Sequence, residues 1–286
     1  MSTELMKERA KRNWYKFSRN PLSIVGLIVV VSVILFAIFA DFLAPYPQHA
    51  FVFVDFKNAK SPPTLKNLCG TDLAGRDVLS RIFFGFRYSL LMAVSVLSVA
   101  TPPGVFLGLI AGYKRDTWVD TVIMRVADVF LSVPSMVLAL AVCSMLEPTL
   151  YNAMLAVTVM WWPWYTRLVY GLSSSIKNEY FIQAAEVTGA STLSILFGEI
   201  LPNCLSPIFT KMTLDVGWVI LIGSTLSFVG LGAQPPTPDL GTMVSDGSKY
   251  IPSQWWISLF PALFIVLIIL GFNLLGDGVR DMLAGD

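Results

Sequence analysis

The 286-residue sequence predicts an all-α membrane protein with six transmembrane helices, and three observations carry that prediction. Charged residues make up 14% of the chain and apolar ones 55%, with a mean hydropathy of +0.67. A water-facing domain carries roughly 25% charged residues, so this chain cannot coat a soluble surface. The apolar residues also fall in long continuous runs, unlike the short alternating segments of a β-barrel. Finally, lipid offers no partner to a free N–H or C=O, so runs near the required length of about 20 residues must be helical.

The elements follow in order. The tail over 1–21 carries Lys7, Arg9, Lys11, Arg12, Lys16 and Arg19 among Trp14, Tyr15 and Phe17. It reads either as an amphipathic helix on the inner leaflet or as a solvated topology signal. The run 22–40, within a first span over 22–44, has no charge. It exceeds a signal-peptide core of roughly 7–15 residues and passes into Asp41-Phe42-Leu43-Ala44-Pro45, so it reads as a retained anchor. An outer loop over 45–85 follows. A core over 86–276 holds charge-free runs at 88–113, 129–146, 148–166, 216–238 and 250–276, the second and fourth of these extending back to near Val119 and Pro207. With six crossings, Lys114, Arg115, Lys177 and Arg280 share a side with the basic tail. Short-loop cations mark the cytoplasm, which places both termini, including the tail 277–286, inside. The outer loop, with Lys57, Lys60, Lys66, Arg76 and Arg81, is the exception, and long loops weigh less in the rule.

The inner segment 173–206 is longer than a connection needs. Asn178 is a candidate cap for a helix from Glu179, with Phe181, Ala184, Ala185 and Thr188 on one face. Gly189 is a natural stop. Ser191 can cap a second helix with Leu193, Leu196, Phe197 and Ile200 on its face, and Pro202 is expected to end it. These faces either fold on the protein's own span ends or fit a partner's groove; periodicity leaves both open.

In the outer loop, Thr71 or Asp72 is placed to start a short amphipathic helix, with Asp72–Arg76 and Asp77–Arg81 as i,i+4 ion pairs and Leu73, Val78 and Ile82 on its apolar side. Three prolines within 234–238 predict a stiff hairpin, and Trp255 and Trp256 read as interfacial anchors. Arg125–Asp128 and Lys211–Asp215 are expected to neutralise each other locally. Pro134 and Pro163 are expected to kink their spans. Met136, Trp161 and Trp162 are candidates for a pathway or gate.

Several chemistries are excluded or opposed. A net charge of +1 suggests no nucleic-acid partner. One histidine, His49, and the scattered Cys69, Cys143 and Cys204 argue against a disulfide framework and a metal site. No catalytic site and no cofactor are expected on this chain. It has no phosphate-binding loop; the nearest string, 108–115, lacks the spacing and the Ser or Thr, so energy must come from a partner. A rival reading, an intramembrane protease using Asp128 with Asp215 or Asp277, requires a shared proton, which the basic neighbours Arg125 and Lys211 oppose. An ion-driven secondary transporter would show internal repeats, and none is evident.

Several blocks resemble one family. Gln183-Ala184-Ala185-Glu186, Gly189 and Leu201-Pro202 resemble the EAA loop of ABC importer permeases, with Gln183 where that pattern usually has Glu. The outer block Gly70-Thr71-Asp72-Leu73-Ala74-Gly75-Arg76-Asp77 through Arg81, the strings 226–232 and 234–238, and 272–278 resemble the dipeptide/oligopeptide/nickel permeases, in particular the second of the two paired subunits. The resemblance implies a type I ABC importer permease fold whose 173–206 segment is a coupling helix docking into an ATPase. It implies as partners a homologous permease subunit, two ATP-binding subunits holding ATP and Mg, and an extracytoplasmic solute-binding protein, all at the inner membrane. Short peptides come first as cargo, with oligosaccharides or nickel complexes as alternatives.

Overall fold

The computed structural model describes residues 3–283 and is almost wholly helical. α1 (Thr3–Ser18) precedes α2 (Pro21–Ile38) and a one-turn α3 (Ala40–Leu43). Then come α4 (Val78–Tyr113), α5 (Trp118–Ser132), α6 (Ser135–Ser144), α7 (Leu150–Ile176) and α8 (Tyr180–Val187). α9 (Thr192–Ser194), a π-helical stretch (Ile195–Ile200) and α10 (Leu201–Phe228) form one continuous rod, followed by α11 (Leu240–Ser248) and α12 (Trp256–Leu283).

Among the described residues, four helices are long and apolar enough to cross a bilayer: Pro21–Ile38, Val78–Tyr113, Thr192–Phe228 and Trp256–Leu283. α5 and α6 form a further broken unit, bent by 84°. Pro134 was expected to kink a helix and instead divides it. The residue before a proline is driven out of the helical region, and Val133 accordingly sits at φ −92°, ψ 130°.

The bundle closes through close backbone approaches. Gly104, Gly108 and Gly112 form a stripe along α4. A Cβ on them would lie 2.5, 2.6 and 2.8 Å from the carbonyl oxygens of Trp162, Thr166 and Tyr170. Both series rise together, so α4 and α7 run parallel and nearly touch, as small residues permit in membrane helices. At the end bearing both termini, Phe17 of α1 is buried against Ser23 and Gly278. At the far end, Arg87 reaches across from α4 to Asp41 at 2.6 Å.

Three expectations change here. α4 begins at Val78, inside the stretch assigned to the outer loop, and no helix forms over 70–77. The rod does not end at Pro202. Leu201 N–H bonds the carbonyl of Leu196, five residues back, and this register skip lets a residue without an N–H enter the next turn. Trp256 is buried, with its indole N–H on the Thr71 carbonyl at 3.3 Å, so it braces the outer loop. Within the stretch 277–286, α12 continues through Leu283, and residues 284–286 lie outside the described residues. The non-helical hairpin over 234–238 is present, and α11 beyond it, capped by Asp239, was not anticipated.

Candidate functional site: the elbow at Gly189 and the trough along α10

Two features share the 192–228 rod. The first is the elbow. α7 ends at Ile176 and the chain turns into α8 without a side-chain cap; Asn178 instead donates to the Ser174 carbonyl. α8 stops at Gly189, whose φ is +80°. Ala190 N–H returns to the Ala185 carbonyl at 3.0 Å and Gly189 N–H to that of Glu186 at 3.0 Å, a left-handed helix ending that favours glycine. Nothing lies within 4 Å of where a Cβ would sit, so the requirement is conformational, not steric. Ser191 Oγ accepts from Ser194 N–H and starts the rod, as its sequence position suggests.

The elbow is both anchored and bare. Ile182, Ile195, Leu196 and Ile200 are buried, and Ala185 packs against that cluster. Tyr113 at the end of α4 donates to Glu186 Oε1 at 2.7 Å. The opposite side is an apolar crown: Tyr180 is 86% exposed, Val187 88% and Leu193 64%. Of the face that periodicity groups together, Phe181, Ala184 and Thr188 are exposed and Ala185 is half-buried, while Ile182 takes the inner position. Gln183 donates to the Asn178 carbonyl at 3.1 Å; Leu201 is half-buried and Pro202 exposed.

The second feature is a polar trough. Lys211 and Asp215 pair at 3.0 Å, as their spacing implies. The second Asp215 oxygen accepts from Trp161 Nε1, also at 3.0 Å, so Trp161 belongs to the trough wall. A cavity of about 290 Å³ between Ser135, Trp161, Trp164 and Ile222 adjoins one of about 560 Å³ that runs past Thr210 to Arg280. Lys211, Asp215 and Trp218 line both. Trp162 packs edge-on against Phe130, and Met136 lies half-exposed next to Ser135. Asp128 pairs with Arg167 of α7 rather than with Arg125, which correlates α5 with α7. Asp128 and Asp215 each hold a cation, the opposite of a proton-sharing dyad. The roles of Tyr113 and Trp161 are not visible in the sequence, since both act across long separations; the signal that does mark the α4–α7 contact is the G-x-x-x-G-x-x-x-G stripe at 104–112.

At the far end, residues 70–77 tie a knot. Asp72 Oδ1 accepts from the N–H groups of Ala74 and Arg76, and Oδ2 from Arg76 Nε at 2.7 Å. Gly75 has φ +80° beside the Asp55 carbonyl. Thr71 Oγ1 donates to the Asn58 carbonyl and accepts from Ser61 N–H, and Gly70 lies against Trp256. Asp77 caps α4 and binds Asn67 Nδ2, while Arg81 turns to Asp72 at 3.6 Å in place of the expected Asp77. Burial pushes the Cys69 thiol up to about 11 and holds His49 below the usual imidazole range against the pull of Asp77, Asp72 and Asp55. Burial likewise raises Asp239, opposed by its bonds to Thr242. Among the described residues, no three His, Cys, Asp or Glu gather as a metal site requires.

A multi-pass helical bundle with a built elbow at one end and a polar trough behind it is a transport permease by architecture. A family model described as "Binding-protein-dependent transport system inner membrane component" matches residues 104–285, and one described as "N-terminal TM domain of oligopeptide transport permease C" matches residues 9–63. The chain belongs to this family of inner-membrane transport components. It is 43% identical over 277 residues to the dipeptide transport system permease protein DppC of Escherichia coli (strain K12), covering 94% of this chain and 91% of that one. It is 41% identical over 268 residues to DppC of Alkalihalophilus pseudofirmus, covering 94% and 87%. A chain from an inward-facing structure of the MetNI methionine ABC transporter superimposes with a TM-score of 0.59 at 17% identity, over 70% of this chain and 95% of that chain, and shares the fold.

Proposed function

We propose that this chain is one permease half of an ATP-driven importer of short peptides, with both termini in the cytoplasm and six crossings. The observation that carries the proposal is the elbow. Tyr180, Val187 and Leu193 expose apolar surface at a site whose inner face is already satisfied by Ile182 and Ile195, and such a surface calls for a partner groove. The partners are two ATP-binding subunits, which hold ATP and Mg and perform all phosphoryl chemistry. A homologous permease subunit completes the pathway, and an extracytoplasmic binding protein delivers cargo. The parallel run of α4 and α7 supports six crossings, since α5 and α6 must return the chain between them. The cations at Lys7, Lys11, Lys114 and Lys177 support a cytoplasmic elbow. Peptide as cargo is supported by the names of the dipeptide permease relatives. In this reading Gln183, Ala184, Glu186 and Gly189 present the docking surface, and closure of the ATPases pushes on the elbow and tilts the 192–228 rod.

Ala184 is exposed and Ala185 half-buried, so Ala184→Arg perturbs docking without disturbing the anchor. In proteoliposomes containing the whole complex it should abolish peptide-stimulated ATP hydrolysis and lower uptake at least tenfold, with the permease still inserted. Normal uptake in that variant would refute the assignment of the elbow.

A further inference from the structure

The trough along α10 contains a cation with unused bonding capacity. Asp215 is 4% exposed and both its oxygens are taken, Oδ1 by Lys211 Nζ and Oδ2 by the Trp161 indole. Lys211 differs. An ammonium has three donors, and its hydrogen bond to Asp215 takes one. Its side chain is 27% exposed and lines both cavities. The rings of Tyr165 and Trp164 lie 5.6 and 5.8 Å from Nζ, within the range where aromatic faces attract a cation. An ionisable side chain that faces a cavity at membrane depth marks a solute path by default.

We propose that Lys211 is the binding point for a carboxylate of the transported solute: for a peptide, its C-terminal carboxylate. This rests on the importer reading above. Recognition is weighted to one end, because Asp215 is 4% exposed and each of its oxygens already accepts a bond, one from Lys211 and one from Trp161. Trp164, Trp218 and Ile222 supply apolar walls that are indifferent to the peptide's side chains. The incoming carboxylate meets a neutral ion pair rather than a bare cation, which keeps binding weak enough for release, as conduction through a pathway requires. Lys211 also lies eleven residues beyond Ile200 on the rod, about 16 Å at 1.5 Å per residue. Solute contact and elbow are thus two points on one helix.

The test uses the complete complex in proteoliposomes with a labelled dipeptide. Lys211→Gln strands Asp215, so the deciding variant is Lys211→Gln with Asp215→Asn, which removes both charges and nearly keeps both volumes. A fall in uptake of at least fivefold, with Lys211→Arg staying above that limit, supports the site; a smaller fall in the double variant overturns it. A second arm is independent of assembly. Lys211→Cys in the preassembled complex is treated with an aminoethylating reagent, which restores an ammonium, or with a neutral reagent of equal length. Recovery with the ammonium alone supports the site, and recovery with both, or with neither, overturns it. A wild-type complex that takes up no peptide while its ATPases turn over overturns the importer reading, and the site with it.

Discussion

The two ends of the molecule are held by different forces. At the far end, residues 45–77 contain two short 3₁₀ turns, Pro47–His49 and Phe56–Asn58, and a single antiparallel bridge between Thr71 and Asp77, yet directional polar bonds fasten them throughout. Asp72 closes its own turn, Thr71 bonds in both directions, and Asp77 joins the loop to α4 while fully buried. At the other end the elbow is regular helix, yet its anchor is aliphatic, with Ile182, Ile195, Leu196 and Ile200 beneath it and Tyr113–Glu186 as a polar tie to α4. Its bonds at Gln183, Thr188 and Ser191 are local. Apolar packing is non-directional, so the elbow can slide and rotate on its seat, whereas the knot can only hold or break. The proposed coupling role needs the first kind of attachment, and an outer wall that stays fixed needs the second.

The sharpest way to break this contrast is to make the knot fail. Asp77→Ala removes the α4 cap and the bonds to Ser80 Oγ and Asn67 Nδ2. At about 1 kcal/mol per bond and about 1 for the cap, the expected loss is about 3 kcal/mol. Thermal denaturation of the purified protein should register it, and protease sites over 50–75 should open. A midpoint within 2 °C of wild type would mean that the knot is not held this way. Gly189→Val acts at the other end and should be milder for the fold. A β-branched residue at φ +80° costs about 2 kcal/mol, with open space for the side chain, so thermal stability falls less than in Asp77→Ala while ATP-driven uptake falls severalfold. A variant that loses stability and keeps its coupling would invert the contrast between the ends.

What could be read beforehand follows the same division. The apolar runs, the stop at Gly189, the cap at Ser191 and the Lys211–Asp215 pair are local, and each rests on residues within one or two turns. The outer knot misled because its Asp72–Arg76 spacing fits a helix. The carboxylate of Asp72 instead captures the N–H groups of Ala74 and Arg76, a side-chain competition with helix that the positive φ of Gly75 then locks in. Arg125 was the nearest cation to Asp128 along the chain, yet Arg167, on a different helix, takes the pair. The sequence left open which way α8 faces, because Phe181 and Ile182 are equally apolar and the buried Ile195, Leu196 and Ile200 that meet Ile182 lie beyond the turn at Gly189. Within the candidate site, the turn chemistry was visible and the partners of Asp215 beyond Lys211 were not.

Smaller changes sharpen the comparison. Tyr113→Phe deletes one hydrogen bond to Glu186, about 1 kcal/mol, and should loosen the elbow without unfolding it. Hydrogen exchange over 180–190 should accelerate, and the number of ATP molecules hydrolysed per solute imported should rise. Glu186→Gln keeps an oxygen that accepts from the Tyr113 hydroxyl and should behave nearly as wild type. A loosened elbow in Glu186→Gln with Tyr113→Phe behaving as wild type would show that charge, and not the bond, matters there.

The smallest effect is a pH response confined to the knot. His49 stacks between Tyr46 and Phe53, with ring centroids 5.0 and 3.8 Å away. Its Nδ1 lies 3.1 Å from the Asp77 amide nitrogen. An amide can only donate, so Nδ1 must be the unprotonated acceptor and the folded ring is neutral. Burial lowers its pKa from 6.5. As pH falls through about 6.5 the unfolded chain therefore takes up a proton that the folded knot refuses, and stability declines until the lower folded pKa is reached. Asp77, Asp72 and Asp55 pull the other way, which keeps the effect small. Protection from exchange over 46–77, taken relative to the intrinsic rate at each pH, should be weaker at pH 5.5 than at pH 7.5, while that of the elbow over 180–190, which has no histidine, stays unchanged. His49→Gln, with an oxygen able to accept from the same amide and no proton to gain, should flatten that response. If the elbow loosened along with the knot on acidification, the two ends would not be separately held, and the division between wall and motor mount would have to be abandoned.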